Sequence, residues 1–541
     1  MSATSNLRHS QTARPSSPHT PQQPLRSANT SFASASSPGS SFRNEDDAII
    51  FEIGARCLRA GFEGNGTPVC VKRFGPEEMR RAADYRGWIH GDIGAGPLPK
   101  PVNAEDWVRD YELWQPDLKN VDLGLVEDKI ERVFRETYNQ YLLTDAGTSR
   151  LVLALPALMP HPLLSSLLSI IFGRWRFPSI TLLPSATMST TAAGLRSALV
   201  VDLGWAETTV TGIYEYREAV TKRSTRAMRA LMLETGRFLT RLASGNDNDE
   251  GKEDDDKEES SDGDISVGFT YCEEVVSKFA WCRQQAEAPD TQTATDQTIS
   301  IPSPKNPEHE YRDLPLSDMA KSVEKVMLAP DVPECDLDDE EKSIPLLVYN
   351  SLLSLPPDAR GTCMARIVFV GGGARIPGLR QRILKEVRLL IARHGWSPIR
   401  GKVVERQRQR LEEMKITSQT NSHSQSPDNI PAGTTDDEKE KSDPSKEEPE
   451  VDFVDQKLRR QNKDTPLPIQ GILREVESLG PWAGASLVTS LKIRGTVEIE
   501  REKFLQYGLA GATRDLEQPV PDRRSGLRAG DRSSWTLAGW A

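Results

Sequence analysis

The chain has 541 residues and a net charge of −11, and 37% of its residues are hydrophobic. One run, 244–264, carries eleven acidic residues against two lysines, so the rest of the chain is nearly neutral. This composition excludes a basic nucleic-acid-binding stripe, and no window is long and apolar enough for a membrane span. The six cysteines form no CxxC pair, which indicates reduced thiols in a cytosolic or nuclear protein.

Four segments have too few apolar residues to offset the entropy lost on ordering. The Ser/Pro-rich segment 1–44 is expected to be a disordered tail, and 513–541 a flexible one. The acidic run 245–264 and the charged segment 401–470 are expected to be disordered insertions in a folded body.

The first globular stretch, 48–64, reads AIIFEIGARCLRAGFEG and predicts two strands joined by a short turn after Glu52, Ile53 and Gly54. Residues 125–143 follow with the periodicity of an amphipathic helix. Its apolar face consists of Val126, Ile130, Val133, Phe134, Tyr138 and Tyr141. The apolar run that begins at Arg150 predicts a buried strand.

The stretch 197–215, SALVVDLGWAETTVTGIYE, repeats the outline of the first hairpin. Asp202 and Gly204 correspond in position to Glu52 and Gly54. Two such units, about 150 residues apart and each followed by strand and helix signals, indicate two related α/β halves.

Helix signals cover 213–242, and further helices are predicted around 351–355 and over 379–391, with Pro377 in the first turn of the last one. Before that helix, ARIVFVGGG at 365–373 predicts a buried strand that ends in glycines. A strand, a glycine turn and a helix N-terminus together form a common phosphate cradle. Taken alone, this glycine loop fits a packing turn as well as a ligand loop.

Together these segments resemble the actin family. Residues 51–64 and 200–215 resemble its two phosphate hairpins, 368–387 its adenosine loop and helix, and 480–491 (GPWAGASLVTSL) a late segment of its first domain. The resemblance extends over about 48–511. It implies an α/β, actin-like two-domain fold with a duplicated ribonuclease H-like core and a central nucleotide cleft.

The resemblance divides the globular part of the chain into three segments. It implies a first actin-like domain over 45–200 and a second over 201–400, the latter containing the acidic insertion. Residues 471–512 then return to the first domain after the charged insertion.

The resemblance also implies a nucleotide site between the two hairpins and the glycine loop, with ATP or ADP and Mg²⁺ as the cofactor. The candidate residues are Glu52, Gly54, Arg56, Arg59, Asp202, Gly204, Gly371, Gly372 and Gly373. Asp202 stands where the family uses a carboxylate to hold the water shell of the cation, a task that suits a hard oxygen ligand. Three alternatives remain open: a nucleotide held without hydrolysis, a cleft that is only a collapsed domain interface, and active turnover of ATP.

Several positions depart from the family. Glu52 replaces an aspartate, Arg59 replaces a lysine, and Arg56 replaces a glycine, so that Arg56 either blocks the phosphates or supplies a contact of its own. Trp205 stands where the family has an acidic residue, Ser185 where it has a glutamine, and Thr209 where it has a histidine. Because hydrolysis requires a precisely positioned water, we expect a degenerate ATPase site and no catalytic residues.

Within the family the chain is most similar to the actin-related protein 10 class, the pointed-end subunit of dynactin, in a fungal form with insertions. Residues 68–118 do not resemble the family's docking segment. This class implies a cytoplasmic, cytoskeletal protein whose partners are actin-related filament subunits, other pointed-end subunits and, indirectly, dynein. The alternatives are a nuclear actin-related subunit of a chromatin-remodelling complex and a divergent actin-superfamily ATPase.

Overall fold

The structure is a computed structural model of the chain. It describes residues 48–76, 101–115, 117–147, 149–156, 158–244, 264–284, 297–304, 310–334, 336–396, 471–493 and 497–512. The segments 1–44, 401–470 and 513–541, which we expect to be disordered, lie outside these ranges. The acidic run 245–264 also lies outside them, except for its last residue.

The hairpin predicted at 48–64 lies inside a six-stranded sheet with the order β14-β6-β5-β1-β2-β3. Its strands are β1 (Ile49–Ile53), β2 (Cys57–Phe62), β3 (Cys70–Arg73), β5 (Leu151–Leu155), β6 (Ser179–Pro184) and β14 (Val497–Glu500). β1 pairs antiparallel with β2 and parallel with β5. Phe51 and Ile50 enter different apolar clusters on the two faces of this sheet. Burial on both faces explains why β5 is continuously apolar and why β1 is apolar except at Glu52.

The second hairpin lies in a four-stranded sheet with the order β13-β7-β8-β9. Its strands are β7 (Ala198–Leu203), β8 (Thr208–Tyr214), β9 (Arg217–Ser224) and β13 (Ile367–Val370). β7 pairs antiparallel with β8 and parallel with β13. This pairing places the glycine loop that follows β13 beside the end of β7. We call the first sheet with the elements packed on it the first half, and the second sheet with its elements the second half.

Two short ladders complete the strands of the described ranges. β4 (Val102–Asn103) pairs with β10 (Asp264–Ile265), and β11 (Thr298–Pro302) pairs with β12 (Tyr311–Pro315). The α-helices in the same ranges are α1 (Ala104–Arg109), α2 (Leu123–Thr137), α3 (His161–Ile170), α4 (Ser185–Ala192), α5 (Met228–Ser244), α6 (Phe269–Phe279), α7 (Leu316–Met327), α8 (Ile344–Ser354), α9 (Pro357–Met364), α10 (Leu379–His394), α11 (Pro481–Ser490) and α12 (Arg501–Tyr507).

The helix predicted at 125–143 is confirmed, but its last turn differs from the prediction. α2 continues into a π-helical turn, Tyr138–Leu142. Tyr138 is buried as expected, whereas Tyr141 is 38% exposed. The wider π turn rotates the following residues away from the apolar face, so the α-helical period misplaces Tyr141.

Two other helix boundaries predicted from the sequence were wrong. The segment 213–242 is not helical throughout, because its first part finishes β8 and forms the edge strand β9 before α5 begins at Met228. Pairing with β8 thus overrides the local helix signal. Pro377 precedes its helix, since Gly378 adopts a φ of 80° and α10 begins only at Leu379.

The segment 480–491, which contains Trp482, forms α11 and packs on the first half. The Trp482 indole N–H donates to the Ile50 carbonyl at 3.3 Å. A Cβ on Gly61 would lie 2.7 Å from the Trp482 ring, and one on Gly484 would overlap the Met188 carbonyl. Glycine at both positions therefore allows α11 to lie directly on α4 and β2.

Five of the six cysteines lie in the described ranges, and none of the five forms a disulfide. Burial raises the thiol pKa of Cys272 and Cys282, which keeps these sulfurs protonated and unreactive. The sixth, Cys335, lies outside the described residues.

Candidate functional site

The turn of each hairpin is built around a glycine. In the first hairpin the Gly54 amide donates to the Cys57 carbonyl at 2.9 Å. In the second, a Cβ on Gly204 would lie only 2.6 Å from the Glu207 carbonyl oxygen, so no larger residue fits without moving the backbone. The Gly204 carbonyl accepts the Met228 amide at 3.1 Å, which connects this turn to the start of α5.

Three charged candidates lie together at the ends of the hairpins. Glu52 and Arg59 are direct partners across the β1–β2 ladder, and their side chains form an ion pair. Burial raises the pKa of Glu52, and the charge of Arg59 opposes this shift. Burial also raises the pKa of Asp202 to about 6, with the Glu52 charge adding to the effect and Arg59 opposing it. One arginine thus serves two partly buried carboxylates.

The glycine loop after β13 packs on the end of β7. Gly371 has a φ of 85°, and a Cβ there would overlap the Asp202 carboxylate and the Leu203 carbonyl. A Cβ on Gly373 would lie 2.9 Å from Leu203 Cβ. For Gly372 the nearest atom would be 4.0 Å away, so packing does not require glycine there. Close packing on β7 is therefore sufficient to explain Gly371 and Gly373.

The Arg56 guanidinium is bonded within the chain on both of its terminal nitrogens. Nη1 donates to the Phe74 carbonyl and, at 3.1 Å, to the Tyr111 carbonyl. Nη2 lies 3.1 Å from each carboxylate oxygen of Glu273 on α6. Arg56 belongs to the first half and Glu273 to the second, so this ion pair bridges the two halves.

Three aromatic rings surround the same guanidinium. The Arg56 Cζ atom lies 5.8 Å from the ring centroid of Tyr111, 5.6 Å from that of Trp205 and 5.3 Å from that of Phe269. Distances of this size allow a cation–π attraction, which strengthens where water is excluded. Trp205 therefore helps to hold Arg56.

Trp205 also makes a hydrogen bond to a buried acid. Its indole N–H donates to Glu112 Oε2 at 2.9 Å, and the Arg229 guanidinium lies 3.2 Å from the same oxygen. Glu112 is only 4% exposed. Burial raises the pKa of Glu112, while Arg229 and the Trp205 hydrogen bond counteract the shift. Trp205, which stands where the resemblance implies an acidic residue, thus donates a hydrogen bond to the acidic side chain of Glu112.

Residues 102–115, here called the strap, supply Glu112 and contact both halves. Toward the second half, β4 pairs with β10 and the Trp107 indole N–H donates to the Val267 carbonyl at 2.7 Å. The ring of Tyr111 stacks on Phe269 with centroids 3.9 Å apart. These contacts fix the first part of the strap to the second half.

The end of the strap is attached to the first half. The Leu113 amide donates to the Ala55 carbonyl, inside the turn of the first hairpin, at 2.7 Å. On α2, Lys129 is 3% exposed and donates to the Glu112 carbonyl at 2.5 Å. The strap therefore crosses between the halves next to the two hairpin turns.

The strap and its partners were not anticipated from the sequence. The one local signal is Asn103, whose side chain accepts the Glu105 amide at 3.0 Å and caps α1. The main partners of the strap lie far away in the chain, and a single sequence gives no register for such pairs. Glu112, Arg229 and Glu273 thus become part of the site only in the folded chain.

Ser185 and Thr209, where the resemblance implies catalytic side chains, both lie in regular secondary structure. Ser185 is the first residue of α4, and its carbonyl accepts the Ser189 hydroxyl at 2.8 Å. Thr209 is the partner of Asp202 in the β7–β8 ladder. Hydroxyls stand at both positions, and neither provides the amide or imidazole that the family uses there.

These surroundings decide which parts of a nucleotide the residues could hold. Asp202 fits the water shell of a divalent cation, because a positive charge would stabilise a partly buried carboxylate whose pKa is raised. Arg56 does not fit a phosphate contact, since Glu273 and two carbonyls occupy its terminal nitrogens. Arg59 is shared with Glu52. The residues thus fit a cation better than they fit a triphosphate.

The actin family model matches residues 43–229, a range that contains both hairpins, the strap and the start of α5. This match supports membership of the actin family, and the mixed α/β content fits an actin-like fold. Within the described ranges, none of the helices is long and apolar enough to cross a membrane.

The raised pKa of Asp202 predicts that its charge reduces stability at neutral pH. Its pKa is about 6 in the folded protein against an ordinary 3.8, so the folded state binds the proton more tightly than the unfolded chain. Stability should therefore fall as the pH rises from about 4 to 6. In metal-free buffer, Asp202→Asn should raise the free energy of unfolding by roughly 1–3 kcal/mol at pH 7.5.

The gain should shrink toward zero near pH 4, as measured by denaturant unfolding across this range. The exposed Asp313 on β12 provides the control, because Asp313→Asn should change little at any pH. Equal effects of Asp202→Asn at pH 4 and pH 7.5 would show that the charge of the Asp202 carboxylate does not reduce the stability of the folded protein.

Proposed function

We propose that the chain is a non-catalytic actin-related structural subunit of dynactin, of the actin-related protein 10 class. In this role it caps the pointed end of the short actin-related filament and supports dynein-driven transport along microtubules. Its partners are filament subunits and other pointed-end subunits, and its location is cytoplasmic and cytoskeletal. The observation that carries the proposal is the strap, which uses for internal contacts a part of the chain expected to face a neighbouring subunit.

A head-to-tail filament continues to grow unless one of its two complementary patches is changed. The altered region 68–118 includes the strap. Trp107 and Val108, on α1, are 8% and 0% exposed and pack in the core of the second half. Residues buried in their own chain are not available to a next protomer, which supports a subunit that joins a filament at one end only.

The contacts at the hairpin turns support the absence of hydrolysis. An attacking water must be held in a near-attack geometry, and this positioning supplies several kcal/mol of the rate enhancement. Arg56 and Trp205 instead contact Glu273 and Glu112. The proposed structural role needs no turnover of ATP.

We therefore expect purified protein to release phosphate from ATP no faster than an Asp202→Ala variant. The reason is that Ser185 and Thr209 offer no group that orients the attacking water. Phosphate release under single- and multiple-turnover conditions measures this, with actin assayed in parallel as a positive control. Steady release that disappears in Asp202→Ala would contradict the proposal.

The polarity of capping can be tested with photo-crosslinking residues at two exposed positions. Tyr216 lies in the β8–β9 turn, where its amide donates to the Arg196 carbonyl in the connection between the halves, so it marks the hinge side. Val71, on β3, is 52% exposed and belongs to the altered 68–118 region. In the native assembly, we expect a crosslinker at position 216 to capture a filament subunit and one at position 71 not to do so.

Filament crosslinks from position 71 with none from 216 would reverse the proposed polarity. Mass spectrometry of proteins that co-purify with the tagged chain separates the proposed role from the nuclear alternative. Dynein-activating subunits are expected, and chromatin-remodelling ATPases in their place would refute the assignment.

A further inference from the structure

We propose that the strap, residues 102–115, is a built-in latch that holds the two halves closed without nucleotide. The inference concerns the free chain and does not depend on its proposed partners. It rests on two buried residues of the strap, Val108 and Leu113, and on the polar contacts of Tyr111 and Glu112, which lie between them in the chain.

The strap is anchored in two separate cores within five residues. Val108 is fully buried in the apolar cluster of the second half, together with Trp107. Leu113 is 3% exposed and lies in the apolar cluster of the first half. Five residues span at most about 17 Å when fully extended, so the halves cannot move far apart while both anchors stay buried. Wide opening requires one anchor to leave its core.

Polar contacts reinforce the crossing between these anchors. Arg56 joins the first hairpin to Glu273, and the Tyr111 carbonyl on the strap accepts a hydrogen bond from the same guanidinium. Glu112 connects the strap to Trp205 and Arg229. Opening would separate buried charges from their partners, and the remaining charge of each broken pair would be poorly solvated.

The latch makes closure independent of a ligand in the cleft. A ligand shifts an equilibrium between open and closed states only by its difference in affinity for the two. Where the chain's own contacts already populate the closed state almost fully, nucleotide has little left to shift. The strap should therefore be as well ordered in nucleotide-free protein as in protein with nucleotide.

Hydrogen exchange of backbone amides in the full-length protein tests this directly. The reporters are the strap itself and 264–267, which contains β10 and the Val267 acceptor. The perturbing variant is Glu273→Gln, which removes the charge that faces Arg56. Its matched control is Glu274→Gln on the same helix, where Glu274 pairs with Lys278 at the surface and both side chains are more than half exposed.

We expect wild-type exchange in the strap to change less than twofold on addition of saturating MgATP. Glu273→Gln should accelerate exchange in both reporter segments by about tenfold or more, while β7 stays protected and the control matches wild type. Trp107→Phe, which keeps a ring but deletes the N–H bonded to Val267, should act in the same direction.

Two results would overturn the latch. One is protection of the strap that rises about tenfold when MgATP is added to the wild-type protein, because closure would then depend on nucleotide. The other is exchange in both variants that matches Glu274→Gln. If Glu273→Gln does not fold, Trp107→Phe and the wild-type comparison still decide between the outcomes.

Discussion

The buried carboxylate of Glu112 is the constraint on which the arrangement of the cleft depends. It lies on the strap, is 4% exposed, forms an ion pair with Arg229 and accepts a hydrogen bond from the Trp205 indole, both of the second half. Its backbone carbonyl accepts a hydrogen bond from Lys129 of the first half. Removing one partner of a buried charge typically costs about 3–5 kcal/mol, so these groups must stay together for the fold to remain stable.

This constraint accounts for the side chains that make the hairpin turns unusual. A tryptophan in the second turn supplies the N–H that Glu112 needs, and its ring also lies beside Arg56. An arginine in the first turn reaches Glu273 across the cleft. Both residues lie where the actin-family resemblance implies contacts to nucleotide or cation, and both hold the two halves together. Asp202 lies outside this network, and its pKa is raised because it is partly desolvated.

Apolar periodicity in the sequence was sufficient to predict the elements whose structure depends on local patterns. The two hairpins, the buried strands β5 and β13 and the helix α2 follow from apolar periodicity, and the proximity of Glu52 to Asp202 follows from the resemblance. The contacts of the strap could not be predicted, because partners such as Glu112 and Arg229 are 117 residues apart and their pairing depends on how the chain folds. Tyr141 was misplaced for another reason, since the π turn after α2 leaves no signal in an α-helical period.

A double-mutant cycle between Glu112 and Arg229 tests the central claim that buried charges of the strap hold the cleft together. The single variants Glu112→Gln and Arg229→Gln and the double variant are compared with wild type by their free energies of unfolding. We predict a coupling energy of about 2 kcal/mol, against about 0.3–0.5 kcal/mol for the exposed Glu274–Lys278 pair on α6. A Glu112–Arg229 coupling no larger than that of the surface pair would contradict the account.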